Sequence, residues 1–326
     1  MGHIVRCITL AEELKDDYGC EVVFAIRQSD VANEMIQKKG FLTEKSDENT
    51  PDFTYSSWLI PIVEQYRPNV FIMDVRDDLP DSVIQDIRKR GILIITIDDP
   101  SNRRLLADLA FYPPIPQVKK MDWSNFKGKL FAGWEWILLR PEFSIKNKRD
   151  PHTVPVILVT MGGSDPFGLT MIAVSALELL EEKFEVHLIV GPAFTHNKEL
   201  QNLMKKTRHH YRILENVSNM ADIMREADLA VHSFGVTSYE LAALGIPSIC
   251  LCLTDDHAES ASLFVDEGML VSLGTYQTVT TDELARAIRN LISDPMQRKR
   301  MSEISRQKVD GLGVKRIAET IIKGVS

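Results

Sequence analysis

An α/β fold in two halves is what this sequence predicts, and three observations predict it. Short apolar runs alternate with helical patterns along most of the chain. A length of 326 residues favours two domains over one. The clearest strand–glycine turn–helix, VILVTMGGSDPFGLT over 156–170, sits at mid-chain rather than at the start. A turn of that kind aims backbone N–H groups and a helix N-terminus at an anion. The expectation is two Rossmann-like halves, with a nucleotide held mainly by the second.

In the first half, residues 4–16 carry apolar side chains at helical spacing, and 21–26 (EVVFAI) reads as a strand. Residues 29–39 form a helical pattern closed by Gly40, and a helix over 57–66 stops before Pro68. A strand over 70–74 ends in a carboxylate, 79–89 is helical, and a strand over 91–98 runs into Asp98-Asp99-Pro100. This is the βαβ rhythm of a parallel sheet. Residues 100–150 are irregular and rich in Trp, Tyr and Pro, and read as the crossover into the second domain; 145–153 (IKNKRDPHT) reads as a linker. The second half repeats the rhythm, with strands at 155–160, 185–190, 211–214, 229–232, 247–252 and 269–272. Helices fall near 168–182, 197–206, 218–226, 237–244, 258–267 and 281–292, with a last one over 312–323. The domains are drawn at 1–146 and 150–308, with a C-terminal segment, 309–326.

Composition bounds the function. The chain is 44% hydrophobic and 26% charged, ordinary for a globular protein. A net charge of −8 argues against nucleic acid as the main partner, which calls for a clustered basic face. It leaves room for an anionic small ligand, because backbone amides and helix dipoles supply local positive potential. Cys7, Cys20, Cys250 and Cys252 form no CxxC pair, so reduced thiols in the cytoplasm are expected. No apolar run has the length of a membrane span, no signal peptide is visible, and no metal cluster or cofactor is indicated.

A second site signal is LAVHSFGVTSYELAALGIPSI, 229–249. A strand runs into Ser233-Phe234-Gly235-Val236-Thr237, and a helix begins there. The Thr237 hydroxyl has two readings, a helix cap or a phosphate contact. Glu240, one turn on, has two as well. It accepts hydrogen bonds from ribose hydroxyls, or it closes a T-x-x-E capping box with Thr237. Two such turns at one sheet edge favour the ligand-binding readings.

These segments resemble a known family. LVTMGGSDPFGLT, AVHSFGVTSYELAALGIPSI, the N-terminal MGHIVRCITLAEEL, IDDPSNRRLLADL (97–109), GWEWILLRPEF (133–143) and DGLGVKRIAE (310–319) are similar to the UDP-sugar hydrolases of pseudaminic acid synthesis and the related spore-coat polysaccharide proteins. The resemblance implies a GT-B fold: two Rossmann-like domains facing across a cleft, the last helix packing back on the first. It implies hydrolysis of a UDP-linked amino sugar, with glycosyl transfer or catalytically inactive UDP-sugar binding as the alternatives. His3 matches the histidine of the family's G-x-G-H turn and is implied as the general base; a surface or helix-cap histidine is the plainer reading. Gly162, Gly163, Ser164, Ser233 and Gly235 match the turns expected near UDP, Thr237 the diphosphate-side hydroxyl and Glu240 the ribose-binding glutamate.

The chain also departs from the pattern. The resemblance implies that a first strand and the first glycine of the G-x-G-H turn lie upstream of Met1. The family's Asp-His-Tyr is here Asp74-Val75-Arg76, leaving Asp74 as a candidate on the sugar side. Its Asn-Gln is here Asp256-His257, where Asp256 is either a sugar-side polar contact or a cap for the helix near 258.

Overall fold

A computed structural model of the chain describes residues 2–48, 52–145, 152–215, 217 and 219–325. Its contacts divide it into two units, Met1–Arg140 with Leu312–Ser326, and Pro141–Gly311. Of the segment read as a linker, residues 146–151 lie outside the described residues.

The first unit contains α1 (Gly2–Tyr18), β1 (Val23–Ile26), α2 (Asp30–Lys38), β2 (Leu42–Lys45), α3 (Tyr55–Tyr66) and β3 (Val70–Met73). It continues with α4 (Asp81–Arg88), β4 (Leu93–Ile97), β5 (Leu109–Tyr112), α5 (Gln117–Lys120) and β6 (Lys129–Ala132). β1 pairs with β2, and β3, β4, β5 and β6 form a four-stranded sheet in that order; every pairing is parallel. The two-residue period of β4 splits its side chains between two cores. Ile95 and Ile97 join Leu10 and Leu14 of α1 and Val314, Ile317 and Ile321 of the C-terminal helix. Ile94 packs with Leu59, Val63, Val83 and Ile87 of α3 and α4. Residues 100–150, irregular by sequence, thus hold two strands. Leu109–Tyr112 is fully buried, but the prolines and polar residues around it hide so short a run.

The second unit contains β7 (Val156–Thr160), α6 (Leu169–Glu178), β8 (Glu185–Val190), α7 (Asn197–Met204), β9 (His210–Glu215), α8 (Met220–Arg225) and β10 (Leu229–Ser233). It continues with α9 (Val236–Leu244), β11 (Ser248–Cys252), α10 (Asp255–Asp266), β12 (Leu270–Thr275), α11 (Thr281–Ser293) and α12 (Pro295–Lys308); the C-terminal helix of the first unit is α13 (Gly313–Val325). The strands form one parallel sheet ordered β12-β11-β10-β7-β8-β9. β7, β10 and β11 are buried along their whole length, as strands covered by helices on both faces must be. The sequence reading lacks α12. That helix buries only Met301 and Ser305, so it carries no apolar stripe to read.

Strand order sets the site. From β7 the chain runs outward through β8 to β9, then returns to β10 on the other flank of β7 and runs outward through β11 to β12. β7 and β10 are therefore neighbours from which the connections diverge, with Val231 opposite Val159 and His232 opposite Thr160. The loops leaving such a pair part from each other, which opens a crevice at the carboxyl ends of the two strands.

Candidate functional site

The two turns singled out in the sequence, 161–165 and 233–237, are the loops that leave β7 and β10. They meet: a Cβ built on Gly162 would stand 3.7 Å from Ser233 Oγ. Gly162 has φ +79°, a left-handed conformation that glycine adopts without strain. Gly162, Gly163 and Ser164 are exposed, and a Cβ on Gly163 would meet nothing within 4 Å. A ligand can therefore approach this backbone closely. The loop is braced from behind. Ala193 N–H donates to Gly163 O at 2.9 Å, and a Cβ on Gly191 would collide with the carbonyls of Gly162 and Gly163. Gly191 escaped the sequence reading, although a lone glycine right after a strand was its signal.

The two helices behind these loops differ. Asp165, buried and at φ +41°, turns its carboxylate onto the start of α6 and accepts from Leu169 N–H at 2.8 Å and Thr170 N–H at 2.9 Å. The chain thus caps α6 with its own anion, and the first turn contributes glycine backbone rather than an open helix pole. α9 carries no such stopper. Its N-cap is Gly235, whose N–H donates to Ser238 Oγ at 3.3 Å. The first N–H groups of the helix, at Val236 and Thr237, have no acceptor within the helix.

This geometry decides two alternatives. Thr237 and Glu240 do not form the capping box, because the N-cap is Gly235, two residues before Thr237, and Ser238 stands at the box position. Both are half-buried, one turn apart on α9. Asp256 does not cap α10 either; Thr254 does, its hydroxyl accepting from His257 N–H at 3.2 Å. Asp256 is exposed in the first turn of α10, and the His257 ring stands 5.8 Å from that of Phe234 in the β10 loop. Burial pushes the His257 imidazole down, against the opposing pull of Asp256.

In the first unit, His3 lies in the opening turn of α1. His3, Arg6 and Cys7 occupy positions i, i+3 and i+4, one face of the helix, and converge on the carboxylate of Asp74 just after β3. His3 Nδ1 is 2.6 Å from Asp74 Oδ1, and Cys7 Sγ–H donates to Asp74 Oδ2 at 3.2 Å. Arg6 is bidentate, with Nε 2.5 Å from Oδ2 and Nη2 2.6 Å from Oδ1. Its Nη1 reaches Asp98 Oδ2, just after β4, at 3.1 Å, and Arg76 Nη2 reaches the same oxygen at 2.8 Å. β3 and β4 are paired, so Asp74 and Asp98 end neighbouring strands; Arg6 bridges the two carboxylates, and Arg76 supplies the second positive charge. The Asp74 side chain, a sugar-side candidate in the sequence, is only 3% exposed and faces this cluster. The sequence showed two strands ending in carboxylates, but not the arginine between them.

Among the described residues no His, Cys, Asp and Glu side chains group to hold a metal ion, and no helix is long and apolar enough to cross a membrane. Cys250 and Cys252 are buried in β11, whereas Cys7 and Cys20 are half-buried.

Comparison with known proteins identifies the second unit. A model of the glycosyltransferase family 28 C-terminal domain matches residues 156–321, just over half of the chain. The chain belongs to that family. This family 28 chain is 28% identical over 267 residues to the uncharacterized protein MJ1062 of Methanocaldococcus jannaschii, covering 77% of itself but only 52% of that protein. It is 23% identical over 327 residues to the spore coat polysaccharide biosynthesis protein SpsG of Bacillus subtilis, covering 97% of itself and 92% of SpsG. It is 28% identical over 184 residues to a UDP-N-acetylglucosamine–N-acetylmuramyl-(pentapeptide) pyrophosphoryl-undecaprenol N-acetylglucosamine transferase of Phenylobacterium zucineum, covering 53% of itself and 49% of the transferase. Among solved structures, Acinetobacter baumannii MurG superposes with a TM-score of 0.73 at 16% identity, over 99% of this chain and 96% of MurG. UDP-GlcNAc 2-epimerase from Neisseria meningitidis bound to UDP-GlcNAc gives 0.69 at 16% identity, over 99% and 97%. The fold is GT-B, built from two Rossmann-like units.

These matches correct the expected reaction. The matching model describes a glycosyltransferase domain, and the relatives include a named transferase, so the reading of the chain as a UDP-sugar hydrolase does not stand.

Proposed function

We propose that the chain transfers a sugar, of the acylated amino-sugar class, from a UDP-activated donor to a hydroxyl acceptor in polysaccharide synthesis. The observation that carries this reading is the crevice at β7 and β10 in a family 28 chain. An exposed glycine backbone lines one side and an uncapped helix pole the other. In this reading the diphosphate sits against Gly162, Gly163, Ser164, Ser233 and Gly235, with the amides of Val236 and Thr237 and the Thr237 hydroxyl donating to it. Glu240 accepts from the ribose hydroxyls. These dipoles stabilise the charge on the departing UDP, and their geometry is set before the reaction. His3 is the base that takes the acceptor's proton. The likeness to SpsG along nearly the whole chain supports a place in polysaccharide synthesis.

Two measurements test this. UDP titrated into the full chain and followed by NMR should perturb 161–165 and 233–240; perturbation confined to residues before 100 overturns the assignment. With UDP-N-acetylglucosamine as donor probe and a panel of sugar acceptors, UDP release should require an acceptor. Release at the same rate without one overturns transfer.

A further inference from the structure

The contact between His3 and Asp74 determines where the histidine carries its proton. A carboxylate oxygen and a ring nitrogen stand 2.6 Å apart only with a proton between them, because two lone pairs at that distance repel. Asp74 is not the atom that keeps it. Burial works to raise this carboxyl, but the hydrogen bonds from Arg6 and His3 outweigh burial and hold it well below the usual carboxylate range. The proton therefore belongs to Nδ1. Arg6 Nη2 also approaches Nδ1, at 3.0 Å; one of its two N–H bonds goes to Asp74 Oδ1 at 2.6 Å, and a second directed at the ring would leave the shorter Nδ1–Oδ1 contact without a proton. With Nδ1–H donated to Asp74, Nε2 carries the lone pair.

We propose that Asp74, clamped by Arg6, is the positioning residue that fixes His3 as its Nδ1–H form and leaves Nε2 as the proton acceptor. This rests on His3 being the base of the transfer reaction above. The acceptor O–H gives its proton to Nε2 while its oxygen forms the bond to the anomeric carbon. The bond from that carbon to the β-phosphate oxygen breaks, and its electron pair leaves with UDP. The Nε2 proton then passes to water. The imidazolium formed midway lies beside Asp74, whose charge stabilises it. Arg6 has two tasks. It keeps Asp74 ionised, and it shares Asp98, the anion at the neighbouring strand end, with Arg76. Asp74 and Arg6 touch the ring; Cys7 is joined to it through Asp74, and Asp98 with its partner Arg76 through Arg6. The His3 side chain itself is 42% exposed, so its outer edge is open to an acceptor.

The test is spectroscopic first. In ¹⁵N-labelled full-length protein, at a pH where the ring is neutral, long-range ¹H–¹⁵N spectra should show His3 protonated on Nδ1 and bare on Nε2. The His3→Gln variant assigns the signal. A wild-type ring that is Nε2–H, or a mixture of both forms, overturns the proposal without recourse to any variant. Asp74→Asn, whose amide can donate to the ring, should shift the population towards Nε2–H. It should also lower the transfer rate about 10²- to 10⁴-fold with little change in donor KM. A folded Asp74→Asn protein with wild-type tautomer and rate overturns the proposal. Failure of the reading beneath it looks different: His3→Gln would then transfer sugar at the parent rate, although the wild-type ring is fixed as Nδ1–H.

Discussion

The loops after β7 and β10 begin alike in sequence and end differently in structure. Both follow buried strands, both pass through glycine, and both lead into a helix. Asp165 turns its carboxylate onto the first helix, whereas Gly235 leaves the second helix open. A strand–glycine–helix pattern therefore marks where an anion can be held; the side chain nearest the helix start decides whether the chain supplies the anion itself.

The largest effect expected from this comparison lies at the strand ends. His232 and Thr160 are paired in the sheet, both buried, but only the end of β10 titrates. Burial pushes the His232 imidazole down to about 4, against a smaller opposing effect of its bond to Ser233 O. The unfolded chain, with an ordinary histidine near 6.5, then binds more protons than the folded chain between those pH values. Stability falls as pH falls through that window, by about 3 kcal/mol in all. Denaturant unfolding at several pH values should show the slope, and His232→Asn should flatten it.

Glu240→Gln comes next. It should weaken UDP by about 1.5–3 kcal/mol, the range for hydrogen bonds to a charged group, with little change in melting temperature. Calorimetric titration that finds unchanged affinity removes Glu240 from the ribose. Gly163→Val should cost UDP about 1–3 kcal/mol through a lost backbone contact. Because the added side chain faces open space, the fold should tolerate it; a large fall in melting temperature would refute that account. Asp165→Ala should do the reverse, lowering stability by about 0.5–2 kcal/mol as a lost helix cap does, with a smaller effect on UDP. If Asp165→Ala impaired UDP binding as much as Glu240→Gln, the contrast between the two loops would fail.

Much of this was legible in the sequence. The alternating apolar runs marked most strands, and the two glycine turns mark the loops that structure brings to one crevice. Helix α12 was not legible, since Met301 and Ser305 are too few to draw a periodic stripe. Leu109–Tyr112 was not, because four residues between polar and proline-rich stretches give no period. Asp165 was visible as a letter, but its left-handed turn back onto Leu169 and Thr170 is a property of backbone angles. The His3–Asp74 contact joins positions 71 residues apart, and only sheet order and helix placement unite them. The expected hydrolysis rested on resemblance and not on residues; water and a sugar hydroxyl present the same O–H to a base.

Gly191 carries a last consequence. It touches the 161–165 loop only from behind, yet any side chain there collides with the carbonyls of Gly162 and Gly163. A saturation library should therefore show position 191 as intolerant as residues that touch the nucleotide. A map of ligand contacts would leave it blank. The small residue keeps the loop's shape before any ligand arrives, so a redesign of the loop has no freedom there.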